Sequence, residues 1–487
     1  MAAFAAVSAA GVVLAAHVAS SPPILSRRWA LLAELGAWAA VWAVGVYLAL
    51  RLPRRWAAPL ILAAGVALRV AALAGPPVTS DDLFRYAWDG RVKERGIDPY
   101  AHAPGSPSLA KLREPWLWPG AAGCEALRRE AGCTLINRPG APTIYPPAAE
   151  AWFNAVSRSA GGVDHRHKPW QVAGLATEVG VLALLPVALR RFGRDGRWTA
   201  LYALSPAPVL EIVNNGHVDG LAALFVVGAL AVAGGQGRRR DVAAGALLGL
   251  AALVKLFPAV LVVAFVTLAG GRALRSVARA GAAAAAVVAL GYLPHVAAVG
   301  WRVLGYAPGY LEEENYVSGG RFLLAGAAGL DGAWAAVASA AALAAVGAWL
   351  LRRRPPVPAG AALLVGALLL ASSPVQPWYA VLLLAVATVA AQPRWAAVVA
   401  AGYPYFFAVI LDHGAAAAIG RLGYIAALVV VVAAARLRQW SERDDAVGAG
   451  DEGGDGVAHA EVGGIPRQRD AGRVTASQRP VHGEVER

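Results

Sequence analysis

Apolar stretches close to the roughly 20 residues that cross a bilayer as a helix recur from the first residue to about 435. They fall at 1–20, 29–50, 56–75, 170–189, 198–213, 218–234, 242–254, 258–270, 280–299, 333–351, 358–373, 377–391, 395–411 and 415–435. A backbone inside hydrocarbon must satisfy its hydrogen bonds within its own segment. The chain is therefore expected to be all-α, a polytopic transmembrane helical bundle of about 11–14 spans. Several stretches are too short for a full crossing and read as half-helices or re-entrant pairs. Composition agrees: 58% of the 487 residues are hydrophobic and only 15% charged, against about 25% charged in soluble domains. The segment from Met1 to about Ser20 has no Lys or Arg ahead of its apolar run, so it is expected to be an uncleaved first span.

The net charge of +13 does not indicate nucleic acid. The arginines sit in short clusters between spans, which is the signature of topology rather than of a surface that tracks phosphates. Arg51, Arg54 and Arg55, then Arg190, Arg191, Arg194 and Arg197, then Arg238 to Arg240, then Arg272, Arg275 and Arg279, then Arg352 to Arg354, and finally Arg436 and Arg438 occupy alternate connections. The short intervening connections, Asn214 to His217, Ser372 to Gln376 and Asp412 to Gly414, contain no Lys or Arg. The positive-inside rule makes the Arg-rich set cytoplasmic and the other set extracytoplasmic. The expected organisation is N-terminal spans at 1–75, one large outer loop at 76–169, a transmembrane core at 170–436 and a cytoplasmic tail at 437–487. From about Ser441 the composition turns to Gly, Asp, Glu, Arg and Ser, as in disordered segments. In the outer loop Trp116, Trp118, Trp152 and Trp170 point to short amphipathic helices resting at the membrane interface. Its cysteines, Cys124 and Cys133, are the only two in the chain, and in an oxidising compartment they pair as a disulfide.

The stretch from Pro77 to Pro104 carries the densest chemistry. Asp81 and Asp82 directly follow a span, where adjacent carboxylates raise each other's proton affinity and poise a general base. They equally fit an ordinary helix start, with Ser80 as N-cap and the acids complementing the dipole. In a helix, Asp82, Arg85, Tyr86 and Asp89 share one face, which suits a polyhydroxylated ligand or an internal ion-pair ladder. Lys255 lies between two short apolar stretches, where a lysine is costly unless paired, so it is a candidate phosphate contact or a snorkelling anchor. His217 and Asp219 share a short outer connection and are candidates for donor phosphate or sugar hydroxyls, or a structural pair. Tyr145, Trp378 and Tyr379 place aromatic faces in outer loops, suited to sugar C–H surfaces or to an aromatic belt. Arg321, near the Glu312 to Glu314 run, is a second candidate phosphate contact. His217, Asp219, Asp412 and His413 show no ligand spacing, so neither a metal nor another cofactor is expected.

These motifs together resemble the GT-C superfamily of membrane glycosyltransferases. The Asp81-Asp82 pair after an early span is followed by R-Y-A-W-D-G-R-V (85–92) and G-I-D-P-Y (96–100). The likeness continues through I-Y-P-P (144–147), N-N-G-H-V-D-G (214–220), V-K-L-F-P (254–258) and Q-P-W-Y (376–379), and is strongest to bacterial polyprenol-phosphomannose-dependent mannosyltransferases. The resemblance implies transfer of a hexose, mannose in that branch, from a polyprenyl-phosphate donor to an extracytoplasmic glycan or lipid acceptor, with inversion. An acidic residue of the first large outer loop would act as base; Asp82 matches it through the following Leu83-Phe84, and Asp81 stands where many relatives carry a basic residue. The donor side would then comprise Lys255, His217, Asp219, Arg85, Tyr86 and Arg321, and the acceptor side Asp89, Tyr145, Trp378 and Tyr379. The expected location is the inner (plasma) membrane, with the site outside. The alternatives are a transporter or lipid flippase, whose ionisable groups sit nearer the midplane, and a GT-C pentosyltransferase or ligase.

Overall fold

The computed structural model describes residues 1–451 except 161–165, 234–236, 268–272 and 411–412, and side chains up to residue 437 apart from some next to those gaps. Two units partition the chain, Met1–Ala434 and Ala435–Arg487. The described residues are helical, with no strand. Three helices open the chain, α1 (Ala2–Ala19), α2 (Ile24–Leu50) and α3 (Arg54–Ala71); α4 (Asp82–Glu94) and α5 (Pro147–Ser159) then belong to the large loop. Next come α6 (Lys168–Arg191), α7 (Asp219–Ala233), α8 (Arg238–Ala252), α9 (Ala273–Val299), α10 (Gly332–Arg353) and α11 (Val357–Ala371). The last are α12 (Ala380–Ala390), α13 (Ala396–Ile410) and α14 (Ala416–Asp451). Seven helices among the described residues are long and apolar enough to cross a membrane, and Asp219–Ala233, Val357–Ala371 and Pro377–Ala390 are shorter apolar helices. This is a polytopic helical membrane protein.

The short stretches have physical causes. The segment expected as a span at 198–213 is broken by Pro206 and Pro208 into two short helices and a π-helical turn, Val209–Asn214. The one at 258–270 begins at Pro258 and is wound as a 3-10 helix from Phe257 to Thr267. Helices approach closely where small residues allow it. A Cβ at Gly245 would collide with the Ala280 carbonyl, and Gly249, one turn on, meets Ala284 in the same way, so α8 packs backbone to backbone on α9. A fully buried ion pair ties α3 to α6: the Arg69 guanidinium donates to Glu178 Oε2 at 2.7 and 2.9 Å and to the Gly65 and Ala203 carbonyls, and Tyr202 donates to Glu178 Oε1 at 2.7 Å.

The large loop has a core of its own. Leu83, Tyr86, Trp88, Leu117, Ile136 and Phe153 bury one another over Trp170, Leu221 and Val254 at the bundle's end. Trp118 packs edge-on against Trp88, Trp116 against Phe84, and Trp170, 3% exposed, against Phe153. Cys124 is bonded to Cys133. In the second unit, helix α14 runs on to Asp451, past the composition change at Ser441; the rest of the expected tail, 452–487, lies outside the described residues.

Candidate active site

The segment leaving α3 is moored by amide side chains. Asn214 and Asn215 accept from the backbone N–H of Val78 at 3.0 and 3.1 Å, and Asn215 also from Thr79 at 3.1 Å. Asn214 Nδ2 donates to the Ala72 and Pro76 carbonyls, and Gln171 donates to Gly75 and to Asn214 itself. With both ends of this stretch satisfied, α4 starts at a defined place. Its N-cap is Asp81 rather than Ser80; the Ser80 hydroxyl instead accepts from the Asp82 N–H at 3.2 Å. Asp81 makes no side-chain cap bond. A single donor bridges the two: Asn137 Nδ2 lies 2.7 Å from Asp82 Oδ1 and 3.2 Å from Asp81 Oδ1.

His217 faces Asp82 from the connection before α7. Its Nδ1 is 3.6 Å from Asp82 Oδ2 and 3.5 Å from the Tyr86 hydroxyl, and its Nε2 is 3.7 Å from Glu211 Oε2. The ring stacks on Trp378 at 4.0 Å and 17°. Gly216 has φ +72°, and a side chain there would strike Leu83, so this turn can approach α4 only with glycine. Burial, opposed by the Asp82 charge and reinforced by that of Lys255, drives the His217 pKa down to about 3. The imidazole is therefore neutral. Asp81 moves the other way: it keeps an exposed edge but stands in a recess, and that desolvation, with the Asp82 charge second, raises its pKa above the usual carboxylate value.

Lys255 occupies the turn after α8, whose Leu253 carbonyl accepts from Ala148 and Ala149 at the start of α5. Its ammonium is 3.5 Å from Asp219 Oδ2 and lies over the rings of Tyr145 and Tyr379, 5.2 and 4.9 Å from their centroids. Apart from that ion pair, neither oxygen of the buried Asp219 has a hydrogen-bond partner among the described residues. Tyr379 and Tyr310 share a hydroxyl contact at 3.1 Å, and Tyr145 meets Tyr86 edge-on at 5.0 Å. An aromatic wall thus joins the cationic corner to the acidic one.

Of the residues singled out in the sequence, Asp81, Asp82, Tyr86, His217 and Trp378 form one cluster, with Lys255, Asp219, Tyr145 and Tyr379 beside it. Three others are engaged within the protein. Arg85 donates to both oxygens of Asp89 at 3.0 and 2.9 Å, one turn along α4; both are buried, and burial raises the Asp89 pKa against the pull of Arg85. Arg321 is paired with Glu314, donates to the Ser372 carbonyl at 3.2 Å and covers the Tyr316 ring. His217 and Asp219 do not pair with each other, since His217 turns to Asp82 and Asp219 to Lys255. Asp412 lies outside the described residues, among which no three His, Cys, Asp or Glu side chains group as a metal site.

Asn137, Glu211 and Tyr310 were not anticipated. Asn137 sits in an irregular run without periodicity, and only folding brings it to Asp82. Glu211 had a signal: it is an isolated acid within an apolar stretch, buried and held by Tyr403 and Asn215 at 2.9 and 3.0 Å.

Chemically, the cluster offers two carboxylates with a shared amide donor on one side and a lysine in an aromatic cage on the other. That is a proton acceptor facing an anion binder. No curated protein and no solved structure shows a significant match to the chain. Residues 144–374 match the family model of glycosyltransferase family 87. The matched segment contains Tyr145, His217, Asp219, Lys255 and Arg321, while Asp81 and Asp82 precede it and Trp378 and Tyr379 follow it. Over this segment the chain is similar to GT-C-type membrane glycosyltransferases, and the match, together with the helical bundle around it, indicates a membrane glycosyltransferase.

Proposed function

We propose that the protein transfers a hexose, mannose by its motif pattern, from a polyprenyl-phosphate donor to a glycan or lipid acceptor at the extracytoplasmic face of the inner membrane. The observation that carries this reading is the convergence of Asp82, held by Asn137 and facing His217 at 3.6 Å, with Lys255, paired with Asp219 under the rings of Tyr145 and Tyr379. An acceptor hydroxyl oxygen attacks C1 of the sugar, and its proton passes to the Asp82 carboxylate. The bond from C1 to the phosphate oxygen breaks, the electron pair leaves with the polyprenyl phosphate, and C1 is inverted. Lys255, pressed between two rings and a carboxylate, meets the growing phosphate charge as a point charge. Asp219, with oxygens open to hydrogen bonds, holds sugar hydroxyls, and the Trp378 and Tyr379 rings offer faces to sugar C–H groups. Arg85 and Asp89 brace α4 behind Asp82, and neutral His217 keeps a second full charge away from it. No Gly-rich loop for a nucleotide-sugar occurs in the sequence, so the donor is met at the bilayer surface.

The test is transfer of radiolabelled mannose from synthetic polyprenyl-phosphate mannose in proteoliposomes. Wild type transfers the label, and Asp82→Asn loses about 10²- to 10⁴-fold, the usual worth of a general base. Full activity in Asp82→Asn would remove Asp82 from the role of base. Transfer from a nucleotide-sugar but from no polyprenyl donor would overturn the donor class.

A further inference from the structure

The end of the bundle away from Asp81 and Asp82 holds a second polar recess, to which the reaction above gives no task. Helix α3 runs from Arg54 towards the site, and α6 runs from Lys168, whose ammonium caps the Gly75 carbonyl near the site at 3.2 Å, back to Arg191. Their far ends meet at two corners, residues 51–54 and 192–197, which frame a cavity of about 440 Å³. Arg54, Arg194 and Arg197 line it with Asp195, while Ala57, Ala58, Gly193 and Gly196 leave its walls low.

The charges within it are unequal in their availability. Asp195 is taken by Arg197, whose guanidinium donates to both carboxylate oxygens at 2.7–3.1 Å and clasps the Leu50 and Leu52 carbonyls of the opposite corner. That arginine and that acid are structural. Arg54 reaches Asp195 only at 3.6 Å with a side chain 84% exposed, and the Arg194 guanidinium has no partner among the described residues. Arg51, Arg55, Arg190 and Arg191 surround the corners, with Asp195 the single acid. Arginines clustered at helix ends are accounted for by topology alone; a cavity of ligand size with one unpaired guanidinium and a second held only by a long, exposed ion pair is not.

We propose that this recess binds a phosphate-bearing anion, specifically the headgroup of an anionic phospholipid. Depth argues for the lipid. Trp56, beside Ala57, and Tyr47, covered by Arg51 at 4.1 Å, are both about half exposed, and aromatics paired with arginines at helix ends mark headgroup level. Arg54 and Arg194 contact the phosphate, and the acyl chains run along the exposed outer faces of α2 and α3. This inference does not depend on the sugar-transfer reading.

Native mass spectrometry of the full-length protein in detergent tests it, titrating phosphatidylglycerol, phosphatidylcholine and inorganic phosphate separately. Wild type is expected to retain phosphatidylglycerol well above phosphatidylcholine. Arg54→Gln/Arg194→Gln should weaken that retention by about thirty-fold, from the worth of two basic side chains at an anionic surface. Arg352→Gln/Arg353→Gln, an exposed pair with no recess, should retain it. Ala58→Glu, which sets a negative charge in the wall without removing an arginine, should reproduce the loss, so a folding defect in the double variant cannot decide the outcome. Equal loss in the Arg352/Arg353 control, or undiminished retention in both recess variants, overturns the site. Inorganic phosphate that binds as tightly as the lipid and displaces it overturns the lipid assignment.

Discussion

At the scale of residues, the two adjacent aspartates differ in surroundings and so in consequence. Asp81 has a raised pKa, which means that ionising it is costlier in the folded protein than in the unfolded chain. Between the ordinary carboxylate value and its own pKa the folded state holds more protons, so its contribution to stability falls as pH rises through that window. Asp81→Asn is therefore expected to melt at or above the wild-type temperature at pH 7, with the difference vanishing under acid conditions; scanning fluorimetry across pH checks this, and a lower melting point at pH 7 contradicts it. His217, with its pKa near 3, stays uncharged from about pH 4 to 8, and no limb of kcat/KM in that range belongs to it. For Lys255→Gln we expect kcat/KM for the donor to fall more than ten-fold, since a charged hydrogen bond is worth about 1.5–3 kcal/mol. An unchanged kcat/KM would place the phosphate elsewhere.

At the scale of elements, the site depends on how the segment before α4 is moored. The Asn214–Asn215 pair ends the π-helical turn and satisfies backbone groups at residues 72, 76, 78 and 79. Asn215→Leu leaves the buried N–H groups of Val78 and Thr79 with one partner between them, at about 1–3 kcal/mol per group orphaned. The expected signature is a fall in kcat with donor KM little changed, because the base is displaced while the lysine cage is not; a rise in KM alone would contradict it. The outer loops are joined differently. Arg138 chelates Glu313 from the 301–321 loop, and both side chains are about 40% exposed. An exposed pair contributes about 0–1 kcal/mol, so Glu313→Gln should leave the melting temperature nearly unchanged.

At the scale of the whole molecule, the fully buried Arg69–Glu178–Tyr202 group fastens the N-terminal helices to the core. Its formation contributes little net stability, but Glu178→Leu strands a buried guanidinium and should cost about 3–5 kcal/mol. The measurable result is loss of folded protein on size-exclusion chromatography, and a well-expressed, monodisperse variant would contradict it. Topology has its own test. With the 76–169 loop outside, Cys124 and Cys133 are oxidised in cells, and a gel-shift alkylation assay should label neither until reductant is added; free thiols in freshly isolated membranes would place the loop inside.

The sequence by itself determined the helical membrane class, because hydrocarbon leaves a backbone few ways to satisfy its hydrogen bonds; how many of the apolar stretches are long helices only the structure decided. The alternation of arginine clusters sorted the connections into two sets, and segments of one set, 80–82, 214–219, 253–257 and 376–379, are those that converge at the site. Local spacing also placed Arg85 and Asp89 one turn apart on α4. Only the tertiary structure decided what each polar group faces. Asn137 reaches Asp82 across 55 residues and Lys255 finds Asp219 across 36, contacts that no periodicity records. The tryptophans show the same limit: an aromatic side chain gains from any low-dielectric surface, and whether that surface is lipid or the loop's own core depends on what else folds beside it.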